Sequence, residues 1–178
     1  MSVAFVFPGQ GSQSIGMLGA LASQYDDVQR VFESASKRLG YDLWALTQSG
    51  PEERLNATEC TQPAMLAAGV ATWRIWQRRG GPAPDLVAGH SLGEFTALAV
   101  AGVLDPDDAV ELVRFRGQVM QEAVPRGEGG MAAIIGLDDA EVEAACAEAA
   151  QGQVVEAVNY NAPSQVVIAG ATAAVERA

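Results

Sequence analysis

The sequence predicts an α/β fold, on three observations. Short apolar runs alternate with amphipathic helical stretches along residues 1–124. Glycine or proline marks most of the junctions. After Pro125 the order changes to strand, helix, strand, strand, helix. Strands alternating with helices argue for a mostly parallel sheet. The later order is one strand short of a ferredoxin-like βαββαβ unit. Two parts are therefore expected, residues 1–124 and residues 125–178. The unfinished unit at the end suggests that the natural protein continues.

Each element has a local reason. Residues 3–7 are apolar, β-branched and aromatic and stop at Pro8-Gly9, so they read as a buried strand followed by a glycine-rich loop. In residues 25–39, Val28, Val31, Phe32, Ala35 and Leu39 recur at helical spacing and form one apolar stripe. Residues 43–47 read as a short helical turn. Thr61-Gln62-Pro63 reads as the opening of a long helix, with Thr61 or Gln62 at the cap and Pro63 in the first turn, where its missing N–H is harmless. That helix stops at Gly80-Gly81-Pro82. A strand at 86–88, a tight turn at 89–93 and a helix at 94–101 follow. The next helix starts at Pro106 and Asp107 and reaches about residue 124. In the second part, strands are expected at 131–137, 154–159 and 165–169, a helix at 138–150 and a turn at 161–164. Thr172 is the expected cap of a last helix.

Composition removes several function classes. Apolar residues make up 49% of the chain, enough for a packed core. The net charge is −11. A nucleic-acid partner is excluded, because the one dense basic cluster, Arg74, Arg78 and Arg79, sits at a helix end where it complements the helix dipole. No apolar run approaches the roughly 18 residues that cross a bilayer, so no membrane partner is expected. The two cysteines, Cys60 and Cys146, match no metal spacing and read as reduced thiols of a cytoplasmic protein. No metal is expected.

The chemistry concentrates at a few positions. Gly89-His90-Ser91-Leu92-Gly93 fits G-x-S-x-G between a predicted strand and a predicted helix. That context makes it a nucleophile elbow, with Ser91 exposed at the head of the helix and the Leu92 N–H aimed at a developing oxyanion. The plain alternative is a glycine-rich strand-to-helix turn. The Gly9-Gln10-Gly11-Ser12 loop fails as a phosphate loop, because position 14 is serine and no Gly-Lys-Ser/Thr follows. It serves as a second oxyanion wall with Gln10 as donor, or as a simple turn. His90 is the chain's one histidine. Its adjacency to Ser91 points the two side chains apart, so it reads as a local support rather than a general base. Arg116 falls on the stripe formed by Ala109, Leu112, Val113, Gly117, Met120, Ala123 and Val124, whereas Arg114 lies off it. A guanidinium turned inward needs an anion: an internal carboxylate, or a substrate carboxylate held by its planar fork.

Phe5-Val6-Phe7-Pro8-Gly9-Gln10-Gly11-Ser12-Gln13 resembles the opening motif of the malonyl-CoA:acyl-carrier-protein transacylases. Thr61-Gln62-Pro63-Ala64, Gly89-His90-Ser91-Leu92-Gly93-Glu94, Arg116-Gly117 and Val158-Asn159-Tyr160-Asn161 resemble further motifs of that family, in order, so the resemblance covers essentially the whole chain. It implies that Ser91 takes malonyl from malonyl-CoA and passes it to the phosphopantetheine thiol of acyl carrier protein. Coenzyme A and phosphopantetheine thioesters are then substrates, and no cofactor is implied. The resemblance also implies an oxyanion hole from the Gln10 and Leu92 amides, Arg116 on the malonyl carboxylate, and Gln62 and Asn161 along the pocket. The implied fold is an α/β-hydrolase-like large subdomain with a ferredoxin-like small one, both incomplete here. The family's catalytic histidine falls beyond Ala178, so the 178 residues alone are expected to be weakly active or inactive. An acidic carrier would dock on a local basic patch, to which Arg126 is assigned. Two rivals are a G-x-S-x-G serine hydrolase and a non-catalytic acyltransferase fragment.

Overall fold

The computed structural model describes residues 2–125 and 127–178, so Arg126, the expected docking residue, lies outside the described residues. The chain divides into two compact units, Met1–Gln121 and Glu122–Ala178. Among the described residues no helix is long and apolar enough to cross a membrane.

In the first unit β1 (Ala4–Phe7) pairs in parallel with β2 (Leu86–Gly89), with Phe7 opposite Gly89. The expected buried strand is corrected: Val6 is 74% exposed and Leu86 61%, whereas Phe7 is buried. Side chains alternate across a strand, and one face of this pair turns outward. On the other, Phe5 meets the edges of Trp73 and Trp76 at 5.4 and 5.3 Å. Helices α1 (Gly19–Ala22), α2 (Asp26–Leu39), α3 (Leu43–Ser49) and α4 (Glu52–Leu55) lie between the strands in sequence, followed by the long α5 (Thr58–Arg78). All five stripe residues of α2 are buried, and Gly40 ends it in the left-handed region at φ 77°. At the far end of α5, Arg78 pairs with the buried Asp27 at 3.0 Å.

Helix α5 begins three residues before the sequence reading placed it, so Pro63 stands inside the helix. Thr61 is not a cap. It is fully buried, and its hydroxyl donates to the carbonyls of Leu55 and Ala57. Helix α6 (Leu92–Val100) starts directly after Ser91, and α7 (Pro106–Glu122) follows. The buried side of α7 is Ala109, Val110, Val113 and Gly117. Leu112, Met120 and Val124, expected on the core stripe, are exposed. Gly117 touches the first turn of α5: a Cβ there would stand 2.7 Å from Glu59 Cα and 2.8 Å from the Thr58 carbonyl oxygen.

The second unit contains β3 (Gly129–Ile135), α8 (Asp139–Ala150), β4 (Val155–Ala162), β5 (Gln165–Ala171) and α9 (Thr172–Arg177). Its three strands form an antiparallel sheet in the order β3-β5-β4. Val142, Cys146, Val155, Val166, Ile168 and Ala174 form its own core. Strand β4 runs through Asn161, so the expected turn narrows to Pro163 and Ser164, where Ser164 takes φ 60°. Thr172 is the first residue of α9 rather than its cap, and its hydroxyl donates to the Gly127 carbonyl.

Candidate active site

Two parallel strands deliver two loops to the same end of the sheet, which is where open α/β sheets bind ligands. Residues 9–13 leave the carboxyl end of β1, and His90-Ser91 leaves that of β2. The loops touch: a Cβ on Gly9 would lie 3.0 Å from the His90 carbonyl oxygen.

The G-x-S-x-G spacing has a direct steric reason. A Cβ on Gly89 would collide with the Gly93 backbone, and one on Gly93 would collide with the Phe7 carbonyl. Only glycine lets the strand turn into α6 at this distance from β1. The Gly93 N–H donates to the His90 carbonyl at 2.9 Å and closes the turn. Ser91 is left at φ 53°, ψ −113°, a conformation that costs a non-glycine residue about 1–3 kcal/mol. Its side chain is exposed, while Leu92 behind it is 1% exposed and anchors the helix.

Ser91 Oγ accepts a hydrogen bond from Arg116 Nη2 at 3.0 Å. Arg116 Nη1 donates to Gln62 Oε1 at 2.9 Å. The guanidinium also lies 5.6 Å from the centre of the Phe95 ring. Gln62 is fully buried, and its Nε2 faces the Met120 sulfur at 3.4 Å. A buried amide without partners is costly, so Gln62 and Arg116 fix each other. Among the described residues Arg116 pairs with no carboxylate. Of the two readings of its inward turn, the internal salt bridge is thus corrected. Arg114, which lies off the expected stripe, is half-buried and donates to the Leu39 carbonyl at the end of α2, 3.0 Å away.

Neither proposed oxyanion donor is consumed. Among the described residues the backbone N–H groups of Gln10 and Leu92 have no hydrogen-bond partner. For Leu92 this follows from its place as the first residue of α6, since first-turn donors lack an intrahelical acceptor. The His90 ring lies beside Gly9, and no hydrogen bond joins it to Ser91. Asn161 belongs to the second unit, exposed on β4 at an irregular step opposite β5. Among the described residues no three His, Cys, Asp or Glu side chains gather as a metal site.

Sequence reasoning missed two contributors. Phe95 sits one turn after Ser91 on α6, and that i, i+4 spacing was its only signal. Met120 was assigned to the core, whereas its sulfur meets the Gln62 amide.

Comparisons with known proteins place the chain in a family. Residues 4–178 match the family model described as acyl transferase domain. The chain is 64% identical over 175 residues to the malonyl CoA-acyl carrier protein transacylase of Escherichia coli K12, covering 98% of this chain and 57% of that protein. To the Bacillus subtilis protein of the same name it is 44% identical, covering 99% and 56%. Among solved structures, an acyl carrier protein S-malonyltransferase from Vibrio cholerae superposes with a TM-score of 0.94 at 61% identity, covering 98% of this chain and 57% of that one. A malonyl-transacylase in complex with a type II PKS acyl-carrier protein gives a TM-score of 0.97 at 60% identity, covering 99% and 57%. The chain thus spans about 57% of the length of these relatives. A single family model accounts for residues 4–178, elbow, glutamine loop and arginine together: the chain belongs to the acyl transferase domain family.

Proposed function

We propose that the protein containing this chain moves a malonyl group from coenzyme A to the phosphopantetheine thiol of acyl carrier protein through an ester on Ser91. One observation carries the reading. A guanidinium that among the described residues has no carboxylate partner rests on the nucleophile itself, with Arg116 Nη2 3.0 Å from Ser91 Oγ. An acyl group ending in a carboxylate supplies the missing anion and is held bidentately beside the attacking oxygen.

In the first half-reaction Ser91 Oγ attacks the thioester carbonyl. The oxyanion is stabilised by the Gln10 and Leu92 N–H groups. The C–S bond breaks, and coenzyme A leaves as the thiol with the proton that Ser91 gave up. In the second half the carrier thiol attacks the ester, the C–O bond breaks, and the proton returns to Ser91. Both halves need a base within hydrogen-bond reach of Oγ. His90 lies beside Gly9 instead, so we assign the base to a histidine outside residues 1–178, and these residues alone turn over slowly or not at all. Gln62 positions Arg116. Residues 1–124, the first unit and the three residues after it, are read as α/β-hydrolase-like. The second is read as ferredoxin-like, which its antiparallel order β3-β5-β4 supports.

The test mixes the full-length protein with malonyl-CoA and holo carrier protein, then weighs the carrier. Malonyl-loaded carrier is expected. Release of free malonate with an unloaded carrier would identify a serine hydrolase and overturn the reading.

A further inference from the structure

The loop that presents Gln10 is not wedged in place by packing. Gln10, Gly11 and Ser12 are exposed, and a Cβ on Gly11, at φ 108°, would meet nothing within 4 Å. Hydrogen bonds hold it instead. The Gly11 N–H donates to Gln13 Oε1 at 2.8 Å. Gln13 Nε2 donates to Asn56 Oδ1, also at 2.8 Å. Gln10 Nε2 reaches Thr58 Oγ1 at 3.4 Å. A backbone N–H can only donate, so the Gln13 oxygen must face Gly11 and its NH₂ must face Asn56. The amide therefore bridges the loop in one orientation. The loop's anchors are Asn56, which closes α4 and takes the Gln13 bond, and Thr58, the first residue of α5, which takes the Gln10 bond. One turn further along α5, Gln62 holds Arg116.

We infer that Gln13, anchored on Asn56, is the positioning residue for the Gln10 oxyanion donor. This rests on the roles proposed above for Ser91 and Gln10. An N–H aimed at a developing oxyanion needs placement within about 0.5 Å, and Gln13 is the side chain that bonds the loop's own backbone, one residue after Gln10. The competing assignment is a turn contact that contributes to stability alone.

The two assignments differ in what a substitution changes. A misplaced oxyanion donor slows acylation by any acyl group and leaves ground-state binding alone. Losing a donor outright costs about 10²–10³ in rate. Gln13→Met keeps the shape and removes both bonds. Asn56→Ala removes the anchor from a surface position that alanine tolerates. Gln13→Glu keeps the acceptor for Gly11, and Asn56 can turn its amide to donate to the new carboxylate.

The experiment measures Ser91 acylation in the full-length protein by rapid quench, with malonyl-CoA and with acetyl-CoA, alongside melting temperature. Gln13→Met and Asn56→Ala are expected to lose about tenfold or more in acylation rate with both donors, since misplacing a donor forfeits part of what removing it costs. The malonyl-to-acetyl ratio, KM and melting point should stay near those of the unmodified protein. Gln13→Glu should recover most of the rate. Unchanged acylation in the first two variants overturns the inference, as does a loss confined to malonyl or one that tracks a fall in melting temperature. If Gln13→Met does not fold, Asn56→Ala decides. Ser91→Ala runs in parallel: acylation surviving there sinks the parent reading, whereas its abolition alongside a normal Gln13→Met sinks the positioning role only.

Discussion

Among the described residues the partners of Arg116 are a serine oxygen, an amide and an aromatic ring, none of which neutralises its charge. A hydrogen bond to a charged group contributes about 1.5–3 kcal/mol net, and each 1.4 kcal/mol is about tenfold. Arg116→Ala should therefore lower malonyl acylation of Ser91 by at least about tenfold and narrow its advantage over acetyl. Parallel acylation rates check this. Arg114→Ala is expected to leave that ratio intact and to cost about 1 kcal/mol in urea denaturation, because its guanidinium caps the carbonyl end of α2. Helical spacing alone separated these two arginines, which lie on different sides of α7. It could not say which of two neighbouring apolar columns is covered. The buried column holds the small residues Ala109, Val113 and Gly117, while Leu112 and Met120 stay exposed.

At the scale of elements, α7 reaches the site because Gly117 lets it lie against the backbone of α5. Gly117→Ala would gain up to about 1 kcal/mol of helix propensity. The new Cβ, however, would stand 2.7–2.9 Å from Glu59 and Thr58 backbone atoms, which have no side chain to swing away. Net destabilisation of about 1–3 kcal/mol is expected, together with a weaker preference for malonyl as Arg116 draws back. Denaturation midpoints and the malonyl-to-acetyl ratio check both. The elements with strong local signals were legible: the α2 stripe, the glycine stop after α5 and the elbow. The start of α5 was not. Proline favours a first turn, but the helix already starts at Thr58, and the Thr61 hydroxyl, read as a cap, instead donates locally to the Leu55 and Ala57 carbonyls. The four-residue helices α1 and α4 carry too few residues for a periodic pattern to register.

Over the whole molecule, the α/β class and the two-part texture follow from punctuation and periodicity. The site's residues were legible because G-x-S-x-G has a steric cause that a strand-turn-helix context exposes. The ties among them were not, since Gln13 to Asn56 and Arg116 to Gln62 join segments 43 and 54 positions apart. Those ties make the α4–α5 junction and the start of α5 the support for both the Gln10 loop and the arginine. The contacts converge on one oxygen atom, Ser91 Oγ, the proposed acyl acceptor. The most direct measurement is intact mass, followed by peptide mapping, of the full-length protein after brief exposure to malonyl-CoA, with and without Ser91→Ala. A malonyl adduct on the peptide containing Ser91, absent from Ser91→Ala, is the expected result. An adduct of the same size that persists in Ser91→Ala would contradict it.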